Sequence, residues 1–170
     1  MKLSTYPYFF TATILEWKPL LRHAKFKDII INSLQFLVAD KRIIVYAFVI
    51  MNNHVHMIWQ IEDNHIVSDV QHSFLKFTAQ MMLKELRNHH PEVLKLFKVN
   101  AADRKYQIWE RNALSVSLFS RPVFEQKLDY IHNNPVKANL VSLPEEYKYS
   151  SAAFYITGKS EWQFLSHYDG

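Results

Sequence analysis

The chain has 170 residues, 49% hydrophobic and 21% charged, which suits one globular domain with a real core. It has no Cys, which excludes disulfides, thiolate zinc sites and a Cys nucleophile; its two glycines, Gly158 and Gly170, cannot build a Rossmann fingerprint or a P-loop. With 20 Lys+Arg against 16 Asp+Glu the net charge is +4, and most of the excess lies in residues 95–159, which permits a polyanionic partner.

In chain order, Tyr6–Leu15 is rich in aromatic and β-favouring residues and predicts a strand. Pro19 breaks the chain. From Arg22 to Lys41 the residues Phe26, Ile29, Ile30, Leu34, Leu37 and Val38 follow helical spacing and predict an amphipathic helix. Ile43–Met51 is a continuous apolar run that predicts a central strand buried on both faces. It is also the longest such run, far short of the roughly 20 residues of a membrane span. The turn signal Asn52-Asn53 leads into a second strand, His54–Ile61. The N-terminus has Lys2 but no clean apolar segment behind it, so no signal peptide is expected and the default compartment is the cytoplasm.

Ser68-x-x-Gln71 is a capping-box pattern that predicts a helix start, with Val70, Phe74, Phe77 and Met81 on one face and an end near Asn88. Residues 91–104 form a basic connection, Lys105–Trp109 a fourth strand, and Pro122 opens a helix that Pro135 should end near Asn134. Residues 137–170 then form a polar and aromatic tail on a single domain whose core is about 6–136. The first six elements, β-α-β-β-α-β, predict an α+β, ferredoxin-like (RRM-like) antiparallel sheet with helices on one face, followed by a C-terminal helix. The other sheet face is then available for a ligand.

The sharpest chemical feature is His54-Val55-His56. Strand residues two apart share a face, so the two imidazoles project together with Ile58 and Gln60, while Val55, Met57, Trp59 and Ile61 face the core. Two parallel imidazoles are half of a metal site; two surface histidines on a half-exposed strand are the competing reading. The second feature is Tyr130-Ile131-His132-Asn133-Asn134-Pro135. With Phe124, Leu128 and Ile131 as the core stripe, Tyr130 and Asn134 are neighbours on its flank. A boundary packing residue and a helix stop are the plainer readings of that pair.

Together the two features suggest a reaction. A tyrosine oxygen is a poor nucleophile at neutral pH because its usual pKa is about 10. A divalent metal compensates by polarising a phosphate oxygen. Two His and an amide oxygen leave positions open for phosphate and water, which favours Mg2+ or Mn2+ over a structural zinc. Tyrosine attack on a phosphodiester would give a covalent phosphotyrosine.

At these residues a family resemblance is visible. IMNNHVHMIW resembles the His–hydrophobic–His motif of the single-tyrosine HUH transposases, with Asn52 where the usual form has Pro. LDYIHNNPVKANLV resembles the tyrosine segment of that family, and PEEYKYSSAAFY its downstream segment; YFFTATILEWKPLL and QIWERN are also similar. The resemblance spans about residues 6–155 and is nearest to the REP-associated tyrosine transposase branch. It implies a ferredoxin-like core, a divalent metal, and cleavage and rejoining of single-stranded DNA through a 5′-phosphotyrosine and a free 3′-hydroxyl. By position it makes His54 and His56 metal ligands, Asn134 the third ligand candidate and Tyr130 the nucleophile. Asn139, often Gly in the family, tolerates the left-handed backbone a helix-end turn needs.

Single-stranded or hairpin DNA is the expected partner. Arg104, Lys105, Arg111, Arg121, Lys127, Lys137, Lys148 and Lys76 are candidates for phosphate contacts. Trp109, Tyr147, Tyr149 and Phe154 are candidates for stacking on unpaired bases. Each has a plainer reading as a solvated cation or a core aromatic. Two other functions compete with the transposase: a non-catalytic single-stranded nucleic-acid-binding module, and a metal hydrolase using water with Tyr130 structural. Monomer and homodimer both stay open.

Overall fold

The computed structural model describes residues 6–170; Lys2, weighed above for a leader peptide, lies outside them. Four antiparallel strands form one sheet: β1 (Tyr8–Thr13), β2 (Ile43–Ile50), β3 (His54–Ile61) and β4 (Leu114–Ser117), in the order β2-β3-β1-β4. α1 (Ala24–Ala39) connects β1 to β2, and α2 (Val67–His89) follows β3. A short α3 (Pro91–Leu94) precedes β4, and α4 (Arg121–Lys137) and α5 (Ala152–Thr157) come after it. This is the ferredoxin-like order the sequence predicts. No helix among the described residues is long and apolar enough to cross a membrane.

The sheet is buried on both sides. On one side Phe10, Val55, Met57, Trp59 and Ile61 pack under α1 and α2 with Phe26, Ile30, Leu34, Phe74 and Met82. On the other, Phe9, Ala47, Val49 and Ile58 pack against Phe124, Leu128 and Ile131 of α4. A register shift between Val45 and Ala47 lets β2 serve both cores. Ile43 and Val45 lie in the first core, the extra residue reverses the alternation, and Phe48 and Ile50 then return to it. The second face is therefore not open for a ligand along its length, as the six-element pattern suggested. The apolar stripe of α4 needs burial and covers it.

Four element assignments change. Lys105–Trp109 is not a ladder strand: it makes isolated bridges, Lys98 with Tyr106 and Ile14 with Trp109, and β4 lies further on. Ser68 lies inside α2, whose first turn begins after Ile66 with no side-chain cap. The buried stripe of α2 runs Val70, Phe74, Thr78, Met82, Leu86, and Phe77 and Met81 face solvent. Thr78 fits in that stripe because its hydroxyl accepts from Trp109 Nε1 (3.0 Å) and donates to the Phe74 carbonyl (2.8 Å). Pro135 does not end α4: it is a buried residue inside the helix, which closes at Asn139 with φ 58°. There Leu140 N–H donates to the Pro135 carbonyl and Asn139 N–H to that of Val136, each at 3.0 Å. Pro135 forgoes one intrahelical hydrogen bond and its ring crowds the carbonyl four residues back, while the ring itself is buried.

β2 is an edge strand by ladder, yet the C-terminal residues cover its edge. Ser150 bridges Val49, Leu165 bridges Val45, and Ile50 N–H donates to the Tyr149 carbonyl at 2.9 Å. Tyr149, Ala152 and Phe164 are buried. Residues 144–168 are thus part of the packed body rather than a tail.

Candidate functional site

β3 begins at His54 because the Asn52-Asn53 turn ends there, with Met51 N–H donating to the His54 carbonyl at 2.8 Å. His54 and His56 share a face, as period-two alternation requires, and their ring centroids are 4.7 Å apart. Thr11 is paired with His56 across the β1–β3 ladder. Its Oγ1 lies 2.7 Å from His56 Nδ1, and Phe9, two residues back on β1, stacks on the same imidazole with centroids 5.5 Å apart. His54 Nδ1 meets Asn53 Oδ1 at 2.7 Å.

α4 carries the other half of the site. Ser120 caps its start by accepting from Val123 N–H, with Pro122 in the first turn. Burial of Phe124, Leu128 and Ile131 against the sheet fixes its rotation. Lys127, Tyr130, Asn134 and Lys137, spaced by three, four and three, then form a stripe on the flank. The Tyr130 ring stands edge-on to His56 at 5.2 Å and to Phe9 at 6.0 Å. Asn134 hydrogen-bonds the His54 side chain. Lys127 Nζ lies 4.7 Å from the Phe9 centroid and 5.8 Å from that of Tyr130, and Lys137 Nζ lies 6.0 Å from Tyr130.

Both imidazoles are held neutral. Burial, then the neighbouring His54 and Lys127, push the His56 pKa down to about 3. Burial also lowers that of His54, partly opposed by the Asn134 hydrogen bond. Neutral imidazole is the form that ligates a metal. His56 Nε2 is buried without a hydrogen-bond partner, an arrangement that costs free energy unless something binds there. In the tautomer whose Nδ1–H donates to Thr11 Oγ1, that Nε2 carries the lone pair a metal ion takes. Among the described residues no three His, Cys, Asp or Glu side chains converge, so a cation here would rest on two imidazoles and the Asn134 amide oxygen. That donor set fits a divalent ion with open positions for substrate.

The structure thus brings together His54, His56, Tyr130, Asn134, Lys127 and Lys137, all within one chain. It places the other candidates elsewhere. Trp109 and Tyr149 are core aromatics rather than exposed stacking residues: Trp109 donates to Thr78, and Tyr149 donates its hydroxyl to Asp28 at 2.9 Å. Tyr147 is half-buried with its hydroxyl on the Ile50 carbonyl at 2.6 Å, and Phe154 is half-buried too. Lys76, Arg104 and Arg111 line a cavity of about 710 Å³ between α2 and residues 103–112. There Asp103 pairs with both Arg104 (2.8 Å) and Arg111 (2.9 Å) and offsets part of their charge. Lys105 lies over the Tyr106 ring at 5.6 Å. Arg121 pairs with Glu125 and Asp169, and Lys148 lies 3.9 Å from Glu161.

Sequence reading missed Thr11, Asn53 and Trp17. Alternation along β1 places Thr11 on the Phe9 face, but only the ladder register puts it opposite His56. Trp17, whose ring meets His54 edge-on at 5.8 Å, reaches the site through a turn with no sequence signature.

No protein-family model and no curated protein matches the chain. Among solved structures, it is similar to a REP-associated tyrosine transposase bound to a REP hairpin. That likeness has 18% identity and a TM-score of 0.67, and covers 92% of this chain and 82% of the other. The chain shares that protein's fold. A candidate transposase from Deinococcus radiodurans R1 is also similar, with 15% identity, a TM-score of 0.51, and 75% of this chain and 88% of the other covered.

Proposed function

We propose that this chain is a single-tyrosine HUH transposase of the REP-associated tyrosine branch, a nuclease and strand transferase acting on single-stranded or hairpin DNA. The observation that carries the reading is the convergence of Tyr130 on His56 and of Asn134 on His54 from a single helix. The His–Val–His and tyrosine-segment motifs support it, as does a fold shared with a transposase bound to a REP hairpin.

In the proposed step, Tyr130 Oη gives up its proton to solvent water and forms a bond to phosphorus while the bond from phosphorus to the 3′ oxygen breaks, the leaving 3′ oxygen drawing its proton from the same water. The 3′ oxygen leaves as a hydroxyl, taking up a proton, and the 5′-phosphate stays on the tyrosine. Attack by a 3′-hydroxyl reverses these bonds and rejoins a strand without an external energy source. His54, His56 and the Asn134 amide oxygen are the residues that would hold Mg2+ or Mn2+, whose chemistry is to polarise a phosphate oxygen. Lys127 and Lys137 flank the tyrosine and would offset charge on the phosphate as it gains a fifth oxygen.

The test is to incubate the protein with labelled single-stranded oligonucleotides, some carrying hairpins, and look for a denaturation-resistant protein–DNA adduct. The wild type should form it and Tyr130→Phe should not. A wild type that binds without an adduct would be the binding module instead, and strand cutting without an adduct would be the water-using hydrolase.

A further inference from the structure

Trp17 is 61% exposed, beside a site in which Phe9 and His56 are buried. It is held in an unfavourable backbone. Glu16 and Trp17 have φ of 53° and 58°, two consecutive bulky residues in the left-handed region. The turn is braced from several directions. Glu16 N–H donates to Glu110 Oε1 at 2.6 Å, Trp17 N–H to the Ile14 carbonyl at 2.9 Å, and Leu15 N–H to the Ile108 carbonyl at 2.8 Å. The turn buries Leu15 but leaves most of the indole it presents in solvent. Strain held in place around an exposed side chain is a mark of function.

The turn is also tied to the candidate metal ligand. Asn53 donates from Nδ2 to the Trp17 carbonyl at 3.4 Å, and its Oδ1 meets His54 Nδ1 at 2.7 Å. One amide therefore fixes the imidazole and the turn together. The indole and the His54 ring form a T-shaped pair with centroids 5.8 Å apart, so the exposed ring stands next to the candidate ligand.

From these observations we infer that Trp17 is a stacking platform for an unpaired nucleobase of the strand whose phosphate sits at His54, His56 and Tyr130. This rests on the DNA reading above. Indole stacking is tolerant of base identity, so the platform positions the strand rather than reading its sequence. The other tryptophans are placed differently: Trp59 and Trp109 are buried, and Trp162 donates to the Lys148 carbonyl at 2.9 Å.

The probe is oligothymidylate of about twelve nucleotides, with an abasic strand of the same length and phosphate count as its partner. Affinities are measured by anisotropy for wild type, Trp17→Phe and Trp17→Ala, alongside tryptophan fluorescence. The wild type should prefer the base-bearing strand, and Trp17→Ala should lose about tenfold on that strand and little on the abasic one. Trp17→Phe should keep most of the affinity and lose most of the fluorescence quenching. Equal loss on both strands, or an unchanged preference in Trp17→Ala, overturns the platform while leaving the DNA reading intact. A wild type that binds neither strand, nor a hairpin oligonucleotide run as control, at low salt removes the DNA reading and the platform with it.

Discussion

Tyr130 stands edge-on to His56, with ring centroids 5.2 Å apart and Phe9 touching both. One residue comes from α4 and the other from β3, so only packing of α4 across the sheet creates the contact. The tyrosine is 41% exposed, and Tyr130→Phe removes a single oxygen from it. Tyr130→Phe should therefore keep the melting temperature and DNA affinity of the wild type while losing adduct formation and strand cleavage. Near-normal cleavage by that variant would discard the nucleophile assignment.

Much of this pairing was legible in the sequence, for definable reasons. Strand alternation puts His54 beside His56, and helical spacing puts Asn134 beside Tyr130; both are local geometry. What joins the two pairs is the burial of Phe124, Leu128 and Ile131 on the second sheet face, a tertiary event that periodicity does not report. The same limit explains Thr11, whose partner depends on the β1–β3 register. It also explains Trp109 and Tyr149: an aromatic suited to stacking on bases is equally suited to a core. Pro135 misled because a proline inside a helix is tolerated when its ring is buried.

His54 and His56 should act as one unit toward a divalent ion. Added Mn2+ should raise the melting temperature of the wild type, because an ion that binds only the native state stabilises it by mass action. In His54→Ala and His56→Ala that increment should vanish, as should metal-restored cleavage after chelation. Cleavage that persists in excess chelator would remove the metal from the mechanism.

Thr11→Val keeps the shape of the side chain and removes the oxygen 2.7 Å from His56 Nδ1. The imidazole then loses the partner that fixes its orientation, and such partners are worth about 10- to 100-fold in metal affinity. Titration calorimetry with Mn2+ should show a loss of that order in a folded protein. A buried Nδ1 left unpaired should also cost about 1–3 kcal/mol of stability. Unchanged Mn2+ affinity would mean that Thr11 serves packing alone.

Truncation after Leu143 should destroy cooperative unfolding. The residues removed cover the outer edge of β2 through Ser150 and Leu165, and they bury Tyr149, Ala152 and Phe164. Without them β2 exposes an unpaired, largely apolar edge, which invites aggregation. A truncated chain with a sharp thermal transition and a monomeric elution volume would show that the C-terminal residues are dispensable to the fold.

His132 gives the site helix a pH dependence that can be isolated. It points away from the tyrosine, is buried, and its Nε2 lies 2.8 Å from Ser151 Oγ. Burial lowers its pKa from the ordinary 6.5 to about 4. Between those values the unfolded chain binds a proton that the native state refuses. Stability from this group is therefore complete above about pH 6.5 and is lost as the pH falls toward 4. His54 and His56, also depressed by burial, act in the same direction, so the metal-free wild type should lose stability with a slope above one proton. His132→Gln retains a side-chain donor for Ser151 and cannot titrate. Denaturant unfolding in chelator from pH 7 to 4 should show its slope reduced by up to one proton, about 1.4 kcal/mol per pH unit. An unchanged slope would mean that His132 takes up its proton equally in the native and unfolded states, so that burial does not depress it.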